Sequence, residues 1–216
     1  MKTQRACRLR NLVWSGSLVH AVRVAGLLLT TLALAACAAS KNPVGPASEA
    51  FGEPQLAGMW THVAEGETRD ILHVIPLDAD GTAFNIVFVN HEERDWAVLD
   101  GYVTAIGDRR FVNLRLRAAS GDLMADIDRQ GRKDSHPYSF VAYAFEGGDV
   151  LRIALPREAL YKAVEEGRLA GETNGDYDVF VSADSSEIAA FLGTADAAEL
   201  FRDARRYRRT DISGQP

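Results

Sequence analysis

Apolar and polar residues alternate along several short stretches of the chain from Leu56 onward. Each stretch is rich in β-branched and aromatic residues and is bounded by turn residues, which is typical of half-buried β-strands. Short links such as DADG (78–81) and EGGD (146–149) indicate that the strands they join are antiparallel. The pattern predicts an antiparallel meander of about eight strands, namely GMWTHVA, DILHVIP, FNIVFVN, WAVLDGYVTAI, RFVNLRLR, YSFVAYAF, DVLRIAL and YDVFVSA.

Two segments nearer the C-terminus have a helical pattern instead. Residues 156–167 begin with proline, repeat apolar positions four residues apart and end with glycine, which predicts a helix. Residues 182–209 predict a capped helix, a break at Gly193 and a second helix capped by Thr194. We interpret the basic run RDARRYRR at the end of this segment as a solvated helix face.

The number of strands and one local motif together predict the fold class. About eight antiparallel strands followed by helices indicate a mainly β fold, either a closed barrel or a strongly curved half-barrel, because closure removes exposed sheet edges. In LAGMW, Gly58 and Trp60 resemble the Gly-X-Trp signature of the first lipocalin strand. That resemblance implies a lipocalin-like barrel in which Trp60 plugs the bottom and an arginine from late in the chain stacks on it. The other interpretation of Trp60 is an ordinary core residue at a strand start.

The first 36 residues have a different composition. Five basic and no acidic residues accompany an uncharged apolar run, residues 24–36, which is too short to span a bilayer and is typical of a secretory signal. The four residues that follow Ala33, Leu-Ala-Ala-Cys, resemble the lipobox of bacterial lipoproteins. The resemblance implies that signal peptidase II cleaves before Cys37 and that Cys37 carries diacylglycerol and a further acyl chain such as palmitate.

These features predict a division of the chain into four parts. Residues 1–36 are expected to be the signal peptide, 37–54 a flexible lipid-anchored tether, 55–210 the β domain and 211–216 a disordered tail. The tether prediction rests on a composition rich in Ala, Ser, Gly and Pro without an apolar period.

Two further resemblances bear on location and family. Ala38 stands where inner-membrane lipoproteins often have Asp, so the lipoprotein resemblance favours the outer membrane, with the domain facing the periplasm. The run DVFVSADSSEIAAFLG, residues 178–193, is similar to the C-terminal part of a group of uncharacterised bacterial lipoproteins. That second resemblance implies no activity.

The charge balance argues against nucleic acid as a partner. Five of the 24 Lys and Arg residues and none of the 30 Asp and Glu residues precede Cys37, so the chain from Cys37 onward has a formal charge of −11. Nucleic-acid-binding domains carry the opposite sign of charge.

The sequence contains no recognisable catalytic set, and we expect neither enzymatic activity nor a cofactor. HEERD, residues 91–95, is interpreted as a solvated hairpin loop rather than a metal site. Residues 126–134 begin like an EF-hand loop, but Pro137 occupies the position of the bidentate glutamate that such a loop needs. The remaining isolated histidines are interpreted as core or surface residues: His62, His73 and His136.

Two functions remain open from the sequence. The first is a membrane-tethered binding module whose inward side chains hold a small apolar or lipid-like ligand. The second is an envelope structural or interaction protein with a filled core and no small ligand, for which no protein partner is predicted. For the first, the candidate ligand-binding residues are the aromatic side chains of the first, third and fourth predicted strands, namely Trp60, Phe84, Phe88, Trp96 and Tyr102.

Overall fold

The structure is a computed structural model that describes residues 38–64, 66–121, 137–174 and 178–210. Its strands are β1 (Ala39–Ser40), β2 (Gly58–Ala64), β3 (Glu67–Pro76), β4 (Ala83–Asn90), β5 (Asp95–Ile106), β6 (Arg109–Ala119), β7 (Tyr138–Glu146), β8 (Val150–Ala154), β9 (Gly171–Asn174), β10 (Asp178–Val181) and β11 (Arg205–Thr210). Its helices are α1 (Arg157–Glu165), α2 (Ser185–Thr194) and α3 (Ala197–Leu200), with 3-10 turns at Ala47–Glu49 and Pro54–Leu56.

Eight of these strands close into an antiparallel barrel. Their order around the wall is β2, β3, β4, β5, β6, β7, β8 and β11, and β11 pairs back onto β2. Every strand of the barrel therefore has a neighbour on each side, which satisfies the backbone groups that an open sheet would expose at its edges. The prediction of a mainly β, lipocalin-like antiparallel barrel is confirmed, and of its two forms the structure has the closed barrel.

The closing strand β11 corrects the prediction for the C-terminal residues. RDARRYRR is not a helix face: residues 205–210 are extended, and Tyr207 pairs with His62 on β2 and with Leu151 on β8. Without β11, the facing edges of β2 and β8 would keep unpaired N–H and C=O groups. That requirement outweighs the weak helix preference of arginine.

Helices α1 and α2 agree with the sequence pattern more closely. α1 lies within the predicted segment 156–167. α2 runs through Gly193, so the predicted break there is wrong, and Thr194 ends α2 and donates to the Phe191 carbonyl instead of capping a second helix. Asp184 caps α2 by accepting a hydrogen bond from the Glu187 backbone N–H, while the Glu187 carboxylate accepts one from the Asp184 N–H. This reciprocal capping box satisfies two backbone donors and sets the start of the helix.

A second layer covers the outside of the barrel. β10 pairs with β9 and with β1, and β1 meets the start of β7. The segment YDVFVSA, which the sequence predicts as the eighth strand of the barrel, instead forms β10 in this side sheet. The eighth strand of the barrel is β11. Buried residues of α1, α2 and β10 pack with Phe111 and Phe140 of the barrel wall, and they form a core separate from the barrel interior.

Residues 38–54 correct the prediction of a flexible tether over 37–54, because they pack against the barrel wall. Four of them are at most 3% exposed: Ala38, Ala39, Ser40 and Val44. The Val44 N–H donates to Oδ1 of Asn113, at 2.7 Å, and Tyr102 Oη donates to the Gly45 carbonyl at 2.8 Å. The small residues that suggest a linker by composition here fit a narrow space between two layers, so the folded domain includes residue 38.

Several predictions fall on other parts of the chain. The signal peptide over 1–36, the lipidation of Cys37, the EF-hand-like run 126–134 and the tail 211–216 lie outside the described residues.

Candidate ligand-binding site

One end of the barrel is closed by residues 51–56, which cross it just before β2. The Phe51 N–H donates to the Val103 carbonyl at 3.2 Å, and the Glu53 N–H donates to the Gly81 carbonyl at 2.9 Å. Leu56 lies within the turn Pro54–Leu56 and is 3% exposed. These contacts give the barrel a floor.

Trp60 and Arg209 complete that floor. The Trp60 ring is fully buried, and its indole N–H donates to the Leu56 carbonyl at 2.8 Å. The Arg209 guanidinium carbon lies 4.2 Å from the centre of the Trp60 ring, which is a cation–π distance. Arg209 also donates to the carbonyls of Ala57 and Gln55, at 2.7 and 2.5 Å. Arg209 is thus the late arginine on Trp60 that the lipocalin resemblance implies.

The contact between Trp60 and Arg209 also requires glycine at position 58. Its φ of +124° lies in the region that L side chains rarely adopt, and a Cβ there would lie 2.7 Å from Nη1 of Arg209. Any side chain at this position would strain the backbone and displace the guanidinium. The Gly-X-Trp spacing therefore has a physical reason in this chain.

The strand register identifies the side chains that point into the barrel. On β4, Phe84, Ile86 and Phe88 alternate along the inner face and are at most 8% exposed. Gly101 on β5 faces the same space, since a Cβ there would lie 3.2 Å from Cδ1 of Ile86 and 3.4 Å from Cδ2 of Leu114. Trp60, Phe84 and Phe88 are therefore inside the barrel, where all three are at most 4% exposed.

Trp96 and Tyr102 are not inside it, and this corrects their place among the candidate ligand-binding residues. On β5 the inner face holds Ala97, Gly101 and Val103, so residues 96 and 102 point outward. Trp96 is 43% exposed. Tyr102 is covered by the segment around Gly45, and burial raises its pKa to about 12. The sequence places both aromatic residues on one strand face correctly, but that face is the outer one.

A band of inward-facing apolar side chains is only half-buried. Packed beside the fully buried residues Trp60, Phe84 and Val103, these are Leu72, Leu99, Leu114, Val141, Phe145 and Ile153. A side chain that faces the interior of a barrel stays accessible only where space remains next to it, because protein cores otherwise pack densely. The floor residue Trp60 is therefore fully buried, whereas these six inward-facing side chains, including Phe145 beside Trp60, keep apolar surface accessible.

A charged cluster lies on the same inner wall. Asp70 on β3 is 2% exposed, and its Oδ2 accepts a hydrogen bond from Nη1 of Arg205 at 2.8 Å and a longer one from Tyr207 Oη at 3.4 Å. The pKa of Tyr207 is raised, first by burial and then by the negative charge of Asp70. The burial of Asp70 is compensated by Arg205, which starts β11 and keeps 43% of its side chain exposed.

A second cluster of a carboxylate, an arginine and a tyrosine lies at the floor of the barrel. Glu53 is 7% exposed and forms an ion pair with Arg110, and Tyr143 Oη donates to Oε2 of Glu53 at 3.3 Å. Burial and then the charge of Glu53 raise the pKa of Tyr143. This cluster ties the segment 51–56 to β6 and β7, and we assign it a structural role.

The loop HEERD connects β4 to β5 at the end of the barrel opposite the floor. Burial raises the pKa of Glu93, as do the charges of Asp95, Glu92 and Asp70, while Arg205 lowers it. The Glu93 N–H donates to Oδ1 of Asn90 at 3.0 Å, and Asn90 pairs with Asp70 across β3 and β4, so Glu93 lies at the same end of the barrel as the Asp70–Arg205 pair. Within the described ranges, no three His, Cys, Asp or Glu side chains come close enough together to hold a metal ion.

Four residues of this site are missed by the sequence analysis: Asp70, Arg205, Tyr207 and Arg209. The available signal was the alternation in RRYRRT, in which residues 205, 207 and 209 occupy one face of an extended strand. It was hidden because two of the three inward residues are arginines, and arginine normally indicates an exposed position.

No helix among the described residues is long and apolar enough to cross a membrane. No family model matches the chain, and neither a curated protein nor a solved structure matches it. The term lipocalin-like therefore describes the fold of this chain.

Proposed function

We propose that this protein is a binding module that holds a small apolar or lipid-like ligand inside its barrel. The observation that carries the proposal is the half-buried band of inward-facing residues, which includes Leu72, Leu99 and Leu114. When an apolar ligand covers such accessible apolar surface, the free energy of the complex falls by about 25 cal/mol for each Å² removed from water. The apolar side chains of the inner wall would contact the ligand. We propose that the protein binds this ligand without converting it chemically and without a cofactor.

We further propose that the protein is a lipoprotein of the bacterial envelope. The support is the lipobox-like run ending at Cys37, behind a basic and then apolar segment. By this resemblance the acylated Cys37 anchors the chain to the outer membrane on its periplasmic side. Two or more acyl chains give lasting attachment, because each buried methylene contributes about 0.8 kcal/mol.

The packing of residues 38–54 changes how such an anchor would act. Ala38, which follows the cysteine directly, is 2% exposed in the folded domain. Consecutive Cα atoms are about 3.8 Å apart, so an acylated Cys37 would hold the domain directly against the lipid headgroups. A ligand that comes from the membrane would then have a short path to the protein.

The anchor is tested with labelled palmitate in the native host. We expect the wild type and Cys7→Ser to take up label, since Cys7 leaves with the signal peptide, and Cys37→Ser to take up none. Label on Cys37→Ser, or none on the wild type, would refute lipidation at this residue.

The ligand is tested by native mass spectrometry of the protein extracted from its own envelope. We expect a reproducible lipid-sized adduct on the wild type. Leu99→Trp should remove the adduct by filling the space, whereas Val98→Trp, the adjacent residue on the outer face of β5, should retain it. If the wild type carries no adduct, or both variants keep it, the barrel does not hold a ligand and the alternative of an interaction protein with a filled core takes its place.

A further inference from the structure

The inner wall of the barrel carries a cation beside its apolar space. Alternation along β11 puts Arg205, Tyr207 and Arg209 on the inner face, and Arg209 is used at the floor. Arg205 starts the strand at the other end of the barrel, and 43% of its side chain remains exposed. A guanidinium has five N–H donors, and its bond to Asp70 uses one of them. Arg205 can therefore donate to a polar group of a ligand whose apolar part lies deeper in the barrel.

The charges around Arg205 determine which polar group that is. Asp70 is 3% exposed in its side chain and pairs with Arg205 at 2.8 Å, so the positive charge is already compensated. Glu93, whose N–H donates to the side chain of Asn90 opposite Asp70, adds a second carboxyl group, while the nearby Glu92 is already paired with Arg69. The rings of His62 and Tyr207 contact each other at a tilt of 47°, with ring centres 5.5 Å apart, and the His62 ring shares a hydrogen bond with the Arg206 carbonyl. The site therefore has hydrogen-bond donors without a net positive charge.

We propose that Arg205 selects ligands with a neutral oxygen-bearing headgroup, such as the hydroxyl and ester groups of an acylglycerol, over ligands with a free carboxylate. The proposal rests on the proposed function, because it assigns one end of the ligand that the barrel holds. A carboxylate at Arg205 would lie close to Asp70 and Glu93, and like charges at short range in a partly buried site repel strongly. A hydroxyl or ester oxygen accepts from the guanidinium without that repulsion.

The test is a competition on the full chain in mild detergent. The protein is incubated at pH 7 with an equimolar mixture of 1-decanoylglycerol and decanoate, and the two adducts are measured by native mass spectrometry. We expect the acylglycerol adduct to exceed the decanoate adduct at least tenfold on the wild type. Arg205→Met should reduce the acylglycerol adduct at least tenfold. Arg206→Met, whose side chain points outward and pairs with Glu146, should leave both adducts unchanged.

Asp70→Asn separates headgroup selection from a simple loss of binding. It keeps the shape of the side chain and leaves Arg205 uncompensated, so decanoate should gain at least tenfold relative to the acylglycerol. Glu93→Gln should shift the ratio in the same direction by a few-fold, and it provides a reading if Asp70→Asn does not fold. A wild type that binds decanoate as well as the acylglycerol, or a ratio that neither variant changes, would overturn the headgroup assignment and leave the proposed function standing. Binding of neither compound would overturn both proposals.

Discussion

Arg209→Met should destabilise the barrel because it removes three contacts that join the end of the chain to the floor. The guanidinium lies 4.2 Å from the Trp60 ring centre and donates to the carbonyls of Ala57 and Gln55. Methionine keeps much of the apolar stem and removes the charge and the donors. The substitution therefore measures what the guanidinium group contributes to the free energy of unfolding.

The size of the effect follows from these contacts. A cation–π contact over tryptophan contributes about 0.5–2 kcal/mol, with the upper end for desolvated pairs. A hydrogen bond to a charged group contributes about 1.5–3 kcal/mol when buried. The bond to Ala57 is partly buried and the bond to Gln55 is exposed, so only the first is counted near that value. Arginine and methionine lose similar side-chain entropy when they are ordered, so that contribution nearly cancels. Because neither carbonyl contact is fully buried, we expect a net loss of about 2 kcal/mol.

Equilibrium urea unfolding of the full chain in mild detergent, followed by tryptophan fluorescence, measures this loss. With a slope of about 2 kcal/mol per M urea, the midpoint should fall by about 1 M. Arg208→Met is the matched control, because Arg208 is the adjacent arginine of β11 and is exposed on the outer face. A loss below 0.5 kcal/mol for Arg209→Met, or equal losses for the two variants, would refute the assignment of Arg209 to the floor.

Three further predictions concern stability. Trp60→Ala should cost about 3–5 kcal/mol in urea unfolding because the ring is fully buried, whereas Trp96→Ala, at a 43% exposed position, should cost less than about 1 kcal/mol; similar losses would place the two rings wrongly. Val44→Ala should cost about 2 kcal/mol in the same assay because Val44 is 1% exposed, and no measurable cost would restore the flexible tether. The pKa of Asp184 lies below 3.8 because the Ser186 side chain and the Glu187 N–H bond its carboxylate. That stabilisation is present above the ordinary pKa of an aspartate and is lost as the pH falls through the lowered pKa, so Asp184→Asn should unfold with a weaker acid dependence than the wild type; an unchanged dependence would contradict the cap.

The sequence is a good guide where local pattern and final environment agree. β2 has the bounds of the predicted strand GMWTHVA, and β4 to β8 match their predicted segments to within two residues. α1 and the capped start of α2 follow from proline, Asp184 and helical spacing. In each case the residues favour by themselves the conformation that the tertiary structure uses.

Of the candidate site, the sequence identifies the part made of apolar residues. Trp60, Phe84 and Phe88 are inside the barrel, because large apolar side chains on an alternating strand point toward a core. Trp96 and Tyr102 are also large aromatic residues on an alternating strand, but they point outward. Alternation shows which residues share a face, but it does not show which face is the inner one when both faces of a strand are apolar.

The fold class, the alternation of the strands and the Gly-X-Trp pair were determined by the sequence alone, because they depend on residue type at spacings of two or three positions. Closure of the barrel by β11, the packing of residues 38–54 and the Asp70–Arg205 pair were decided only by the tertiary structure. Each of these joins segments far apart in the chain, and an arginine or an alanine-rich segment becomes buried only when a distant partner compensates its charge or fits its small size. The partner supplies the free energy in each case, and its distance along the chain is not encoded in the local pattern.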